Sequence, residues 1–238
     1  MTVNASARRS NTTTRVLSAL VLAPLAVGAA WFGGWPFALF WIVVGVAVLY
    51  EWTTVIWSAR ELSSVERAGW LLAGLIYAVL MAWPAIALRN DAEFGLTVIV
   101  FLFAVVWTTD ILGYFGGRAF GGPKLAPSIS PSKTWSGAIA GTVGAGVAGA
   151  LVAAWASGTK WPQLVAVGLV LSIVSQIGDL AESAFKRKFQ IKDSSQLIPG
   201  HGGVMDRLDG FWAAALCAAM IGIARAGVGD SARGLLVW

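Results

Sequence analysis

Asp179, Glu182, Ser183 and Lys186 stand at i, i+3, i+4 and i+7, a spacing that puts all four on one face of a helix. Asp206 and Asp209, three apart, share a face in the same way. Two helix ends would thus hold three carboxylates, Asp179, Asp206 and Asp209, on either side of one loop. That loop carries Lys186-Arg187-Lys188, then Lys192, then Pro199-Gly200-His201-Gly202-Gly203. Hard oxygen ligands beside Lys and Arg suit Mg²⁺ carrying a polyphosphate. Glycines at 202 and 203 let backbone N–H groups come close to phosphate oxygens. His201, the one histidine of the chain, is placed for phosphate contact or proton handling. Simpler roles exist for each group taken singly. Asp206 and Asp209 could compensate a helix dipole at about 0.3–1 kcal/mol each. Asp179 could pair with Lys186 or Arg187, and the basic run could attract anionic lipid heads. A second cluster lies upstream, with Asp110 and Arg118 followed by Ser128-Ile-Ser130-Pro-Ser-Lys133-Thr134.

The elements that must position these residues are membrane spans. The chain is 57% hydrophobic and only 12% charged, against about a quarter charged in ordinary soluble domains. A soluble fold could not bury so much apolar surface. Seven runs approach the roughly 20 residues that a bilayer demands: 16–33, 36–57, 69–88, 94–115, 135–157, 162–182 and 211–228. The expected fold is therefore all-α, a polytopic helical bundle of about seven spans. Gly33-Gly34-Trp35-Pro36 reads as a tight turn between the first two. Trp35, Trp52, Trp57, Trp70, Trp107, Trp135, Trp155, Trp161 and Trp212 sit near run ends and read as interfacial anchors. A single cysteine, Cys217, excludes an internal disulfide and reads as a buried, inert thiol.

Arg8, Arg9 and Arg15 precede the first run and place the N-terminus in the cytoplasm. Alternation then puts Arg60, Arg67, Arg118, Lys124, Lys133, Lys186, Arg187, Lys188, Lys192 and Arg207 on that side too. Of seventeen basic residues, Arg89, Lys160, Arg225 and Arg233 fall on the other. The net charge of +5 is thus a topology signal, and no nucleic-acid partner is expected. Residues 1–15 read as a flexible cytoplasmic tail, and 16–238 as one transmembrane catalytic domain. The first run is longer than a secretory signal core and another span follows at once, so no cleavage is expected.

Residues 183–209 closely resemble the signature of the phosphatidate cytidylyltransferase family, the CDP-diacylglycerol synthases. The matching positions are Ser183, Phe185, Lys186, Arg187, Lys192, Asp193, Ser195, Ile198, Pro199, His201, Gly202, Gly203, Val204, Asp206, Arg207, Leu208 and Asp209. Asp110, Gly117-Arg118 and Ser130-Pro-Ser-Lys133-Thr134 are similar to the family's upstream elements. The resemblance implies a Mg²⁺-dependent nucleotidyltransferase of phospholipid biosynthesis, in which phosphatidate and CTP give CDP-diacylglycerol and pyrophosphate. It implies Asp179, Asp206 and Asp209 as metal ligands, with Asp110 a further candidate. Lys186, Arg187, Lys192 and Arg207 would hold phosphates, with His201 in the same catalytic group. Ser130, Lys133, Thr134, Gly202 and Gly203 would bind substrate. The setting would be the cell (inner or plasma) membrane, with the site facing the cytoplasm.

Two other readings fit parts of the pattern. A CTP-dependent lipid kinase would move the γ-phosphoryl group and release CDP. A small cation transporter would use intramembrane carboxylates, but would place them at the bilayer midplane. Gly137, Gly141, Ala145 and Gly149 recur every four residues and form a stripe along which helices can approach closely. Sequence leaves open whether the partner is a helix of the same chain or of a second copy in a homodimer.

Overall fold

The computed structural model describes the backbone of residues 5–156 and 158–238, and the side chains of Ser18, 20–156 and 158–238. Residues 1–4 of the expected tail lie outside the described residues. The chain runs through α1 (Ala5–Phe32), α2 (Gly34–Ser58), α3 (Ser64–Arg89) and α4 (Gly95–Phe120). A hairpin of β1 (Lys124–Ala126) and β2 (Ser130–Thr134) follows, then α5 (Trp135–Trp155) and α6 (Trp161–Lys188). The last elements are α7 (Met205–Leu208), α8 (Phe211–Ala226) and α9 (Ser231–Leu236). Each of the seven apolar runs is helical over most of its length, among the described residues. Among the described residues, α2 to α6 are long and apolar enough to cross a bilayer, while Leu20–Phe32 and Phe211–Ala226 are shorter apolar helices.

Several boundaries differ from the sequence reading. Helix α1 begins at Ala5, ahead of the apolar run, because no Gly or Pro interrupts residues 5–15. Helices α4 and α6 run on past residues 115 and 182, to Phe120 and Lys188. Asp110 and Asp179 consequently lie about 14 Å inside their helix ends, at 1.5 Å per residue. The segment before α5, read as a loop, forms the antiparallel hairpin with Lys124 opposite Thr134. Thr134 closes that hairpin and caps α5, its Oγ1 accepting Gly137 N–H at 3.2 Å.

Arginines close helix ends that would otherwise leave carbonyls unpaired. Arg67 donates to Ile56 O at 2.8 Å and Ala59 O at 3.2 Å, tying α3 to the end of α2. At the opposite end of the bundle Arg89 donates to Ala30 O at 2.7 Å and Trp31 O at 3.1 Å. Ser63 and Glu66 form a reciprocal capping box that starts α3.

Not every tryptophan is an anchor. Trp35, Trp57, Trp107, Trp135, Trp155 and Trp161 are exposed on the apolar belt, as interfacial indoles should be. Trp52 is 7% exposed. It stacks on Phe185 with centroids 4.1 Å apart and donates Nε1–H to Trp70 O at 2.8 Å. Trp70 and Trp212 also pack inward, against Phe189 and Tyr77. These rings form a plug joining α2, α3, α6 and α8 directly beneath the carboxylate region.

The small-residue stripe is spent within the chain. A Cβ on Gly141 would stand 2.6 Å from the Thr109 carbonyl oxygen of α4, and one on Gly137 2.5 Å from that of Gly113. Further along, Gly149 abuts the Leu164 carbonyl of α6. Polar side chains reinforce the three-helix contact: Thr109 Oγ1 donates to Ser172 Oγ at 2.8 Å, and Gln176 Nε2 to Thr142 Oγ1 at 3.0 Å. Gly141→Leu must force α4 and α5 apart. It is expected to cost about 1–3 kcal/mol and to lower the melting temperature in detergent, with Gly28→Leu, where nothing lies within 4 Å, as the silent control.

Candidate active site

The charged residues singled out in sequence gather at one end of the bundle, in two adjoining groups. The first contains Asp110 of α4, Asp179 of α6 and Asp209, which follows α7. Gly178 and Gly210 make this approach possible. A Cβ on Gly178 would lie 2.7 Å from Asp209 O, and one on Gly210 3.2 Å from Ser175 O. Asp179 pairs with Lys133 of β2 and also accepts from Ser183 Oγ at 3.4 Å. The partner is therefore Lys133, not Lys186 or Arg187, and the hairpin exists to deliver it. Burial first, then the charges of Asp179 and Asp110, push the Asp209 carboxyl above the ordinary carboxylate range. The donor recorded on Asp209 is the adjacent Gly210 N–H at 2.8 Å.

The second group surrounds Asp206. Its Oδ1 accepts Lys186 Nζ at 2.8 Å, and Lys186 also reaches Glu182 Oε1 at 2.9 Å. Its Oδ2 accepts Ser194 N at 2.9 Å, Ser194 Oγ at 3.0 Å and Gly203 N at 2.9 Å. Burial works to raise this carboxyl, yet Lys186 and the two N–H groups prevail and hold it at about 2. Asp206 is thus the hub of the 192–206 loop. Gly202, at φ +89°, would put a Cβ 3.1 Å from Asp206 Oδ2. Glycine is needed there for both conformation and space.

The sequence pattern treated Asp179, Asp206 and Asp209 as one set. In the structure Asp209 feels Asp179 and Asp110, while Asp206 is engaged by four donors. Among the described residues no three acidic, histidine or cysteine side chains already stand in metal-ligand array. The fit to a hard cation rests on the first group: oxygen donors that repel one another and carry unused lone pairs.

The remaining candidates are distributed around these groups. Arg187 donates Nε–H to Ile129 O at 3.2 Å, clamping α6 to the hairpin that bears Ser130 and Lys133. Arg207 donates Nε–H to His201 O at 3.0 Å, fixing the glycine-rich turn. Ile198 and Gly202 bridge across that turn, with Ile198 N–H on Gly202 O at 2.8 Å. Gly203 N–H, expected to face phosphate, is instead bound to Asp206. Lys192 is exposed on the loop rim.

Sequence reasoning missed Glu51, which lies in α2 and points its carboxylate into the same loop. Its signal was available: a lone acid inside an apolar run is expensive in lipid and needs partners. Glu182 was noted on the polar stripe but given no role, and it proves to be the second carboxylate on Lys186.

Comparison with known proteins adds an independent line. A cytidylyltransferase family profile matches residues 54–223. A protein of Brucella abortus named phosphatidate cytidylyltransferase is 44% identical, the match covering 87% of this chain and 91% of that protein. Proteins of the same name from Rickettsia conorii and Rickettsia typhi are 36% and 37% identical, over 85% and 84% of this chain and 87% of each relative.

Proposed function

Given that the chain belongs to the cytidylyltransferase family, we propose that the clustered charges described above are its catalytic centre. The reaction joins phosphatidate to CTP, giving CDP-diacylglycerol and pyrophosphate, in a multi-pass membrane enzyme of phospholipid synthesis. The observation that carries the site assignment is the gathering of Asp110, Asp179 and Asp209 within electrostatic reach of one another, with Lys133 paired to Asp179 and Lys186 to Asp206, within the matched residues.

A phosphatidate phosphate oxygen attacks the α-phosphorus of CTP. The new P–O–P bond forms as the bond to the β-phosphate oxygen breaks, and pyrophosphate leaves with that electron pair. The attacking oxygen is already ionised at neutral pH, so no strong general base is required. What remains is to bring two anions together and to hold the charge that develops. Lys133 and Lys186 are preset by Asp179 and Asp206 and can turn to phosphate oxygens when substrate arrives. Arg187, Arg207 and Lys192 line the loop and hairpin on the open side, where phosphates of CTP and leaving pyrophosphate would lie. Ser130, Thr134, Gly202 and His201 belong to the two turns that frame them. Asp179 and Asp209, with Asp110, would hold Mg²⁺, which supplies Lewis-acid stabilisation of the transferring phosphoryl oxygens. Asp206 shapes the loop beside it.

Pyrophosphate release from purified protein is expected to require both CTP and phosphatidate, to stop with EDTA and to return with added Mg²⁺. Full release after exhaustive chelation would contradict the metal assignment.

The basic residues that surround the site support a position on the cytoplasmic side of the cell membrane. A reporter fused after residue 195 should behave as cytoplasmic and one after Trp238 as external. Matching signals from both fusions would contradict this orientation.

A further inference from the structure

Glu51 is fully buried at 0% exposure, in α2, ahead of the residues matched by the family profile. Its Oε1 accepts Ser195 Oγ at 2.6 Å and Val204 N–H at 2.7 Å. Its Oε2 accepts Met205 N–H at 2.8 Å and Ser194 Oγ at 3.2 Å. One carboxylate therefore grips both arms of the 194–205 loop, which are distant along the chain from α2. A Cβ on Gly203 would lie 2.8 Å from Glu51 Oε1, so the absence of a side chain there lets the carboxylate enter. Val204 and Met205 lead directly into Asp206 and Asp209, and Ser194 bridges Glu51 to Asp206. The ion pairs of this region go to Lys186 and Lys133, and Glu51 is served by hydroxyl and amide donors.

Four donors on a buried anion form a rigid fixture, because each bond is charge-assisted and water is kept out. We infer that Glu51 is a positioning residue for cytidylyl transfer, latching the 194–205 loop to α2 so that Asp206 meets Lys186 and Asp209 is held on the side of Asp179. It does not itself contact substrate in this arrangement, and its effect passes through the backbone of Val204 and Met205. The inference rests on the transferase reading of the site, and wild-type product formation is the control for that reading.

The replacement Glu51→Gln keeps size but puts an NH₂ group against a backbone N–H that cannot reverse its polarity. In full-length protein purified in detergent, kcat per folded molecule should fall about 10–100-fold, the scale of a catalytic misalignment near 1 Å. KM for CTP and for phosphatidate should each stay within about threefold, because the phosphate-binding cations are untouched. Ser195→Ala removes one of the four bonds without stranding a charge and should lower kcat about threefold. The double variant should be no slower than Glu51→Gln alone, since the two changes disable the same latch. A merely structural Glu51 would reduce the folded fraction and leave kcat per folded molecule intact, and that result would overturn the inference. Should Glu51→Gln fail to fold, Ser195→Ala decides: unchanged kcat there overturns it too. Wild-type protein that forms no CDP-diacylglycerol would instead remove the transferase reading.

Discussion

Asp209→Asn is expected to lower kcat on the order of 10³-fold, the scale of losing a principal electrostatic stabiliser, while leaving the fold as stable as before or slightly more so. The reasoning starts from lone pairs. Asp209 accepts a hydrogen bond from its neighbour Gly210 and lies within the electrostatic reach of Asp179 and Asp110. Removing its charge relieves repulsion among three carboxylates, so stability has nothing to lose. The capacity to hold a cation against a polyphosphate is lost. Asp206→Asn should behave differently. There the substitution puts an amide among Lys186, Ser194 and Gly203, so melting temperature and kcat should fall together. Initial rates and thermal melts on both variants separate the two roles. Equal stability losses in the two would contradict the division of labour.

The largest stability effect is expected from Lys186→Met. Lys186 is the cation recorded between Glu182 and Asp206, whose side chains are 1% and 4% exposed. Deleting it leaves two buried carboxylates facing each other, a change that typically costs about 3–5 kcal/mol. One of them would take up a proton, and the 192–206 loop would lose its anchor. Activity should be abolished in the same variant, because the cation proposed to bind phosphate goes with it. Adding Glu182→Gln should recover part of the stability and none of the activity. Recovery of activity in that double variant would mean that Lys186 serves only the fold.

Much of this was readable along the chain where the relevant neighbours are local. The i, i+7 relation of Asp179 and Lys186, the spacing of Asp206 and Asp209, and the glycine-rich turn all lie within residues 179–209. The long apolar runs announce their own helices. What sequence left out is contact across distance. Lys133 pairs with Asp179 from another element, and nothing in local spacing selects it over Lys186. Glu51 stands in an apolar run with no motif around it, and its four donors lie more than 140 residues away. Trp52 resembles an interfacial anchor because it sits near a run end. Its burial depends on Phe185, which only the folded chain brings beside it. Helices α4 and α6 run on beyond their apolar stretches, to Phe120 and Lys188, although the polar residues there read in sequence as the edge of the membrane. Those of α6 meet the hairpin and the 192–206 loop instead, through Asp179 with Lys133, Lys186 with Asp206 and Arg187 with Ile129 O.

The central claim is that the α-phosphorus of CTP is the one attacked. It is tested by supplying purified protein with phosphatidate, Mg²⁺ and CTP labelled in separate reactions at the α- or the γ-phosphorus. The expected result is α-label and cytidine in the lipid, with γ-label leaving as pyrophosphate. Transfer of γ-label to lipid with release of CDP would make the protein a lipid kinase and contradict the account.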